Sequence, residues 1–157
     1  LGIDPGSLIT GFGVVEMRRS ELLHISHGEI KSPQKGTLPE FLVIIYERLS
    51  EVILADRPDA MAVEEVFYGK NVKSLIKQGQ ARGAAILAGS HHGVPVFEYS
   101  PLTVKQAVVG YGRAEKSQVQ SMVKAMLRLP ALPQADAADA LAVAICHAHS
   151  AGRLGGC

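Results

Sequence analysis

Asp4 closes a short apolar stretch, Leu1-Gly2-Ile3, and is followed by the turn-forming residues Pro5-Gly6-Ser7. An acid at the end of an otherwise apolar strand is costly to bury unless something neutralises it. The plainer alternative is an acid that closes a turn. A second group of acids, Asp136 and Asp139, lies in Gln134-Ala135-Asp136-Ala137-Ala138-Asp139-Ala140-Leu141. Positions three apart share a helix face. Both carboxylates therefore project together near a helix start, among alanines that let the helix lie close against a sheet. The helix dipole explains one acid there, but explains two on one face less well. A third source is Glu64-Glu65, at the end of the apolar run Ala60-Met61-Ala62-Val63. Either glutamate could turn toward Asp4, because both faces of that run are apolar. Clustered carboxylates shift one another's pKa and call for a cation between them. Hard oxygen ligands suit Mg²⁺ or Mn²⁺. Two such ions roughly 4 Å apart serve in-line displacement at phosphorus. Metal-dependent hydrolysis of a phosphodiester is the chemistry these residue types point to.

The charge distribution agrees. The net charge of +1 says little, but its placement is uneven. Residues 1–68 carry six Lys/Arg against eleven Asp/Glu, whereas residues 69–128 carry nine against two. The basic stretch holds Lys70, Lys73, Lys77, Arg82, Lys105, Arg113, Lys116, Lys124 and Arg128. Solvated helix faces also carry Lys and Arg, yet this asymmetry suits a polyanion held by phosphate contacts.

The elements that must position these groups can be read in order. Three strands come first: the Asp4 strand, 12–17 and 21–31, the last two joined by the polar connection Arg18-Arg19-Ser20. Thr37 and Glu40 form a capping box. Apolar residues at Leu38, Phe41, Leu42, Ile45, Leu49, Val52 and Ile53 follow at helical period until Arg57-Pro58-Asp59. The fourth strand, 60–66, reads as a central strand covered on both faces. A loop over 67–71 leads to a helix whose apolar stripe is Val72, Leu75, Ile76, Gly79, Gly83, Ile86 and Leu87. The two glycines on that stripe invite close approach of another backbone. Residues 94–98 form a fifth strand, and Pro95 places it at the sheet edge or begins it there. Ser100-Pro101 starts a short helix to about Val109. Helices over 115–129 and 135–149 follow, separated by Pro130 and Pro133.

With 157 residues and 47% hydrophobic content, the chain fits one domain with a sizeable core. That domain is an α/β unit over residues 1–150: a five-stranded mixed sheet with helices on both faces. Residues 151–157 are expected as a disordered tail. No apolar run approaches the length of a bilayer-spanning helix, so no membrane partner is expected. The chain lacks an initiator Met and opens inside a strand, so a few preceding residues are expected. Cys146 and Cys157 are too few and too late for a disulfide framework or zinc site, which suits a reducing, cytoplasmic setting. His147 and His149 read as ordinary late-helix histidines favoured by the dipole.

Six stretches together resemble the RuvC family of crossover-junction endodeoxyribonucleases. They are Leu1-Gly2-Ile3-Asp4-Pro5-Gly6-Ser7, Val63-Glu64-Glu65-Val66-Phe67, Gly79-Gln80-Ala81-Arg82-Gly83, Val104-Lys105-Gln106, Ala114-Glu115-Lys116-Ser117-Gln118-Val119-Gln120, and Gln134 through Ala142. The resemblance runs in order from Leu1 to about His149. It implies a ribonuclease H-like fold and a symmetric homodimer that cuts Holliday junctions, leaving 3′-hydroxyl and 5′-phosphate ends. By position it implies Asp4, Glu64, Asp136 and Asp139 as catalytic metal ligands, choosing Glu64 over Glu65, with two Mg²⁺ per site and Mn²⁺ as a substitute. It matches Lys105 and Lys116 to phosphate contacts and Phe67 to stacking on an unpaired base. Lys70 and Lys73 extend the DNA-binding set. Expected partners are four-way DNA, a second copy of the chain and a branch-migration helicase complex. Two other readings are an actin-like or sugar-kinase-like ATPase domain, which needs a second lobe that this length does not supply, and a non-catalytic junction-binding module.

Overall fold

A computed structural model describes residues 1–154, apart from Phe67 and Lys70. The strands are β1 (Gly2–Asp4), β2 (Ile9–Arg18), β3 (Glu21–Lys31), β4 (Met61–Glu64) and β5 (Val96–Tyr99). The helices are α1 (Leu38–Asp56), α2 (Val72–His91), α3 (Pro101–Val109), α4 (Lys116–Met126) and α5 (Ala135–Leu154). The sheet order is β3-β2-β1-β4-β5. β1, β2 and β3 pair antiparallel, while β1–β4 and β4–β5 are parallel. β5 is an edge strand that starts just after Pro95, where a missing N–H does least harm.

Strand alternation divides the interior into two cores. Ile3, Val14, Met61 and Val63 pack with Phe41, Ile45 and Leu49 of α1 and the alanines of α2. Ala62 points the other way and packs with residues of α3, α4 and α5. Local signals set the helix ends. The Thr37 hydroxyl accepts the Glu40 N–H, and the Glu40 carboxylate accepts the Thr37 N–H at 2.6 Å. Ser100 caps α3 by accepting the Thr103 N–H at 3.2 Å. α4 is shorter than 115–129: it ends at Met126, and Arg128 turns the chain with φ 52°. α5 is longer than 135–149. A single Gly152 costs about 1 kcal/mol in a helix and does not stop it before Leu154. The expected tail is thus helical as far as Leu154, and residues 155–157 lie outside the described residues.

The apolar stripe expected on α2 is not its buried face. Val72, Ile76 and Leu87 are each more than half exposed, at 58%, 57% and 59%. The buried residues are Ala81, Ala85, Ala88 and Gly89. Small side chains bring the helix close enough that a Cβ on Gly89 would stand 2.8 Å from the Met61 sulfur. Bulk on this face would push α2 off the sheet, so the larger residues turn outward. A Cβ on Gly79 or Gly83 would meet nothing within 4 Å in the chain.

α5 lies closer still. A Cβ on Gly2 would fall 2.1 Å from the Ala140 carbonyl oxygen, and one on Gly11 only 1.9 Å from that of Asp136. The facing residues Ala137, Ala138 and Ala140 are almost fully buried. Strand glycines and helix alanines together let the helix backbone rest on the strand backbones. Gly11→Ala should therefore destabilise the fold by about 3 kcal/mol, the upper range for overpacking, because the obstacle is backbone. Gly13→Ala should cost less, since its nearest neighbour is the Leu141 side chain. Urea unfolding midpoints check the order; equal, small effects would refute it.

Candidate active site

β1 and β4 are adjacent parallel strands, with Gly2 opposite Ala62 and Ile3 opposite Val63. This register leads Asp4 and Glu64 out at the same sheet edge. Both side chains line the same cleft. Glu65, the next residue, is exposed. The close seat of α5 brings Asp136 and Asp139 over the same edge. Asp4, Asp136 and Asp139 each offer a carboxylate oxygen, all within 4.8 Å of one another. These acids floor a cleft of about 400 Å³ whose walls include Lys105 of α3 and Lys116 of α4. The structure thus gathers all four predicted acids and two of the predicted lysines.

Electrostatics shows what the site lacks. Burial, then the charges of Glu64 and Asp139, push Asp4 from 3.8 up to about 9. Burial also raises Glu64 and Asp139, partly opposed by Lys116 and Lys105. In the protein alone the charged forms of Asp4, Glu64 and Asp139 are disfavoured. Lys116 Nζ lies 3.1 Å from Asp139 Oδ2, and that carboxylate raises the lysine's own pKa. Two ammonium groups do not neutralise four acids. A set of oxygen donors this close, half-buried and short of positive charge fits divalent cations.

The remaining predicted residues are placed differently. Lys73 is exposed on the first turn of α2 and does not line the cleft. Phe67 and Lys70 lie outside the described residues. His147, expected as an ordinary late-helix histidine favoured by the dipole, is instead packed against the end of the sheet. Its Nδ1 is 2.8 Å from Tyr99 Oη, its ring centroid is 4.6 Å from that of Phe97, and burial lowers its pKa. Two cleft residues escaped the sequence reading. Ser7 belongs to the turn after Asp4, and Gln78 faces the cleft from α2. Ser7 was visible in the Asp4 motif but read only as turn chemistry; Gln78 had no local signal.

Comparison with known proteins gives the family. The family model for crossover junction endodeoxyribonuclease RuvC matches residues 1–147. The RuvC of Geobacter sulfurreducens is 58% identical over 151 residues, 96% of this chain and 92% of that one. The RuvC of Citrifermentans bemidjiense is 56% identical over 152 residues, 97% of this chain and 93% of the other. Thermus thermophilus RuvC, solved in complex with Holliday junction substrate, superposes with a TM-score of 0.90 at 38% identity. That match covers 98% of this chain and 94% of that one. The ribonuclease H-like architecture expected from the sequence is thus the one found, and the chain belongs to the RuvC family of crossover junction endodeoxyribonucleases.

Proposed function

We propose that this chain resolves Holliday junctions by paired, metal-dependent hydrolysis of DNA phosphodiesters. The observation that carries the reading is the convergence of Asp4, Asp136 and Asp139 within 4.8 Å, with Glu64 lining the same cleft. Asp4, Glu64, Asp136 and Asp139 would hold two Mg²⁺ ions, with Mn²⁺ as a workable substitute. Bound there, such ions lower the pKa of water and neutralise charge at phosphorus.

The side chains have distinct tasks. Asp4 would give up its proton as positive charge entered the cleft, leaving all four acids free to act as ligands. Asp139 holds the Lys116 ammonium at the cleft wall, where it can donate to a phosphate oxygen. Lys105 offers a second ammonium from the neighbouring helix. Lys73, Lys70 and Phe67 would act on the DNA beyond the cleft, the lysines on phosphates and the aromatic on a base. A four-way junction has two-fold symmetry, so paired cuts call for an isologous dimer. The outer side of α1 and α2 suits a second copy: Leu42, Val43, Tyr46, Ala84 and Leu87 line an apolar groove of about 430 Å³ beside Gly83. A branch-migration helicase complex is the further partner that the family implies, and the cytoplasm its setting. Among the described residues, no helix is long and apolar enough to cross a membrane.

Asp4→Asn should lower cleavage of synthetic four-way DNA by about 1,000-fold or more, the scale of several kcal/mol of metal-assisted stabilisation. Binding measured by gel mobility should persist; normal cleavage would refute the ligand assignment. The pH dependence has a defined sign. In metal-free protein, folding takes up a proton at Asp4 between about pH 4 and 9, because the folded value exceeds the unfolded one. That contribution to stability is full below the lower value and is lost as pH rises. Thermal midpoints in chelator should therefore fall from pH 6 to 9. The increment from added Mg²⁺ should grow over the same range, and a pH-independent increment would contradict the reading.

A further inference from the structure

The first half of α2 projects from the fold. From Val72 to Gln80 no side chain is buried, and the helix joins the core only from Ala81 onward. Ser74, Leu75 and Gln78 are half-buried on this segment; Gln78 lines the cleft, and Ser74 touches Ser7, which also lines it. Ser74 is hydrogen-bonded at both ends. Its backbone N–H is capped by Asn71 Oδ1 at 3.2 Å, and its hydroxyl donates to Ser7 Oγ at 3.1 Å. Ser7 sits three residues after Asp4, in a turn so tight that a Cβ on Gly6 would meet the Ile9 carbonyl oxygen at 2.1 Å. On its far side this turn is tied to the end of β3, where the Ser32 N–H donates to the Leu8 carbonyl at 2.8 Å. The turn that follows Asp4 is thus pinned at two points, one of them on the projecting half of α2.

We infer that Ser74 is a positioning residue that latches the DNA-facing end of α2 to the Asp4 turn, so that the basic arm and the acidic site move as one. The chain of contacts is short: Asn71 at the loop end, Ser74 on the first turn, Ser7, then Asp4. Lys73 and Lys77 flank it on the same segment and face solvent, where phosphates would meet them. DNA seated on this arm would hold the Asp4 turn in place through one hydroxyl pair. The inference rests on the nuclease reading for its catalytic consequence but not for the contact itself.

Two measurements on Ser74→Ala, Ser7→Ala, the double variant and Ser74→Thr test it. The first is hydrogen exchange, without DNA or metal, at the Ser32 amide, which donates to the Leu8 carbonyl of this turn. Each Ala variant should speed exchange about fivefold, the worth of one neutral hydrogen bond, and Ser74→Thr should restore protection. Unchanged exchange in Ser74→Ala overturns the latch, whether or not the protein is a nuclease. The second is single-turnover cleavage of four-way DNA in Mg²⁺ beside junction affinity in chelator. Ser74→Ala should cleave about fivefold more slowly with affinity within about twofold, and the double variant should be no slower than either single. Multiplied effects in the double variant, or a loss confined to affinity, overturn the positioning role. A wild-type chain that does not cleave would instead sink the nuclease reading, leaving the exchange result to decide the latch.

Discussion

Everything in the acidic cleft depends on how closely α5 lies on β1 and β2. Helix and sheet normally keep a side-chain layer between them. Here glycines on the strands and alanines on the helix remove that layer, to the point where a Cβ on Gly11 would overlap the Asp136 carbonyl. The consequence is positional. Asp136 and Asp139 have short side chains, and a helix held off by ordinary residues would leave them out of reach of Asp4. Close backbone packing thus does for the site what long side chains could not, and without the entropy cost of ordering them.

The packing also creates an electrostatic debt. Three carboxylates lie within 4.8 Å and Glu64 lines the same cleft, and burial disfavours the charged forms of Asp4, Glu64 and Asp139. Asp4 bears most of it, sitting at about 9 in the protein alone. Lys116 relieves Asp139 only in part. A site of this kind is stable when divalent charge fills it and strained when it does not. Under the proposed function, such a site would tie proton release at Asp4 to the arrival of positive charge and leave the flanking lysines for the phosphate.

Much of this was legible in the residues. The Asp136 and Asp139 spacing announced a shared helix face, and the alanines around them announced close contact. The capping signals at Thr37–Glu40 and Ser100–Pro101 marked helix starts that the structure keeps. What was hidden required knowing the partner surface. Large apolar residues on α2 looked like its core stripe, yet the helix buries the alanines instead, because proximity to Met61 rewards small size over bulk. The glycines of β1 and β2 read as turn and strand residues until α5 lay across them. Apolar alternation could not separate Glu64 from Glu65; the family resemblance chose Glu64, and the structure places Glu64 in the cleft while Glu65 is exposed. His147 packs against Tyr99 and Phe97, neighbours 48 and 50 residues away in sequence, and no local signal announced that contact.

The central claim is that distant segments meet to hold divalent ions. Anomalous diffraction from crystals soaked in Mn²⁺ tests it most directly. The account predicts anomalous peaks within about 2.5 Å of carboxylate oxygens of Asp4, Asp136 and Asp139. A cleft without peaks at saturating Mn²⁺, or manganese bound only elsewhere on the chain, would contradict it.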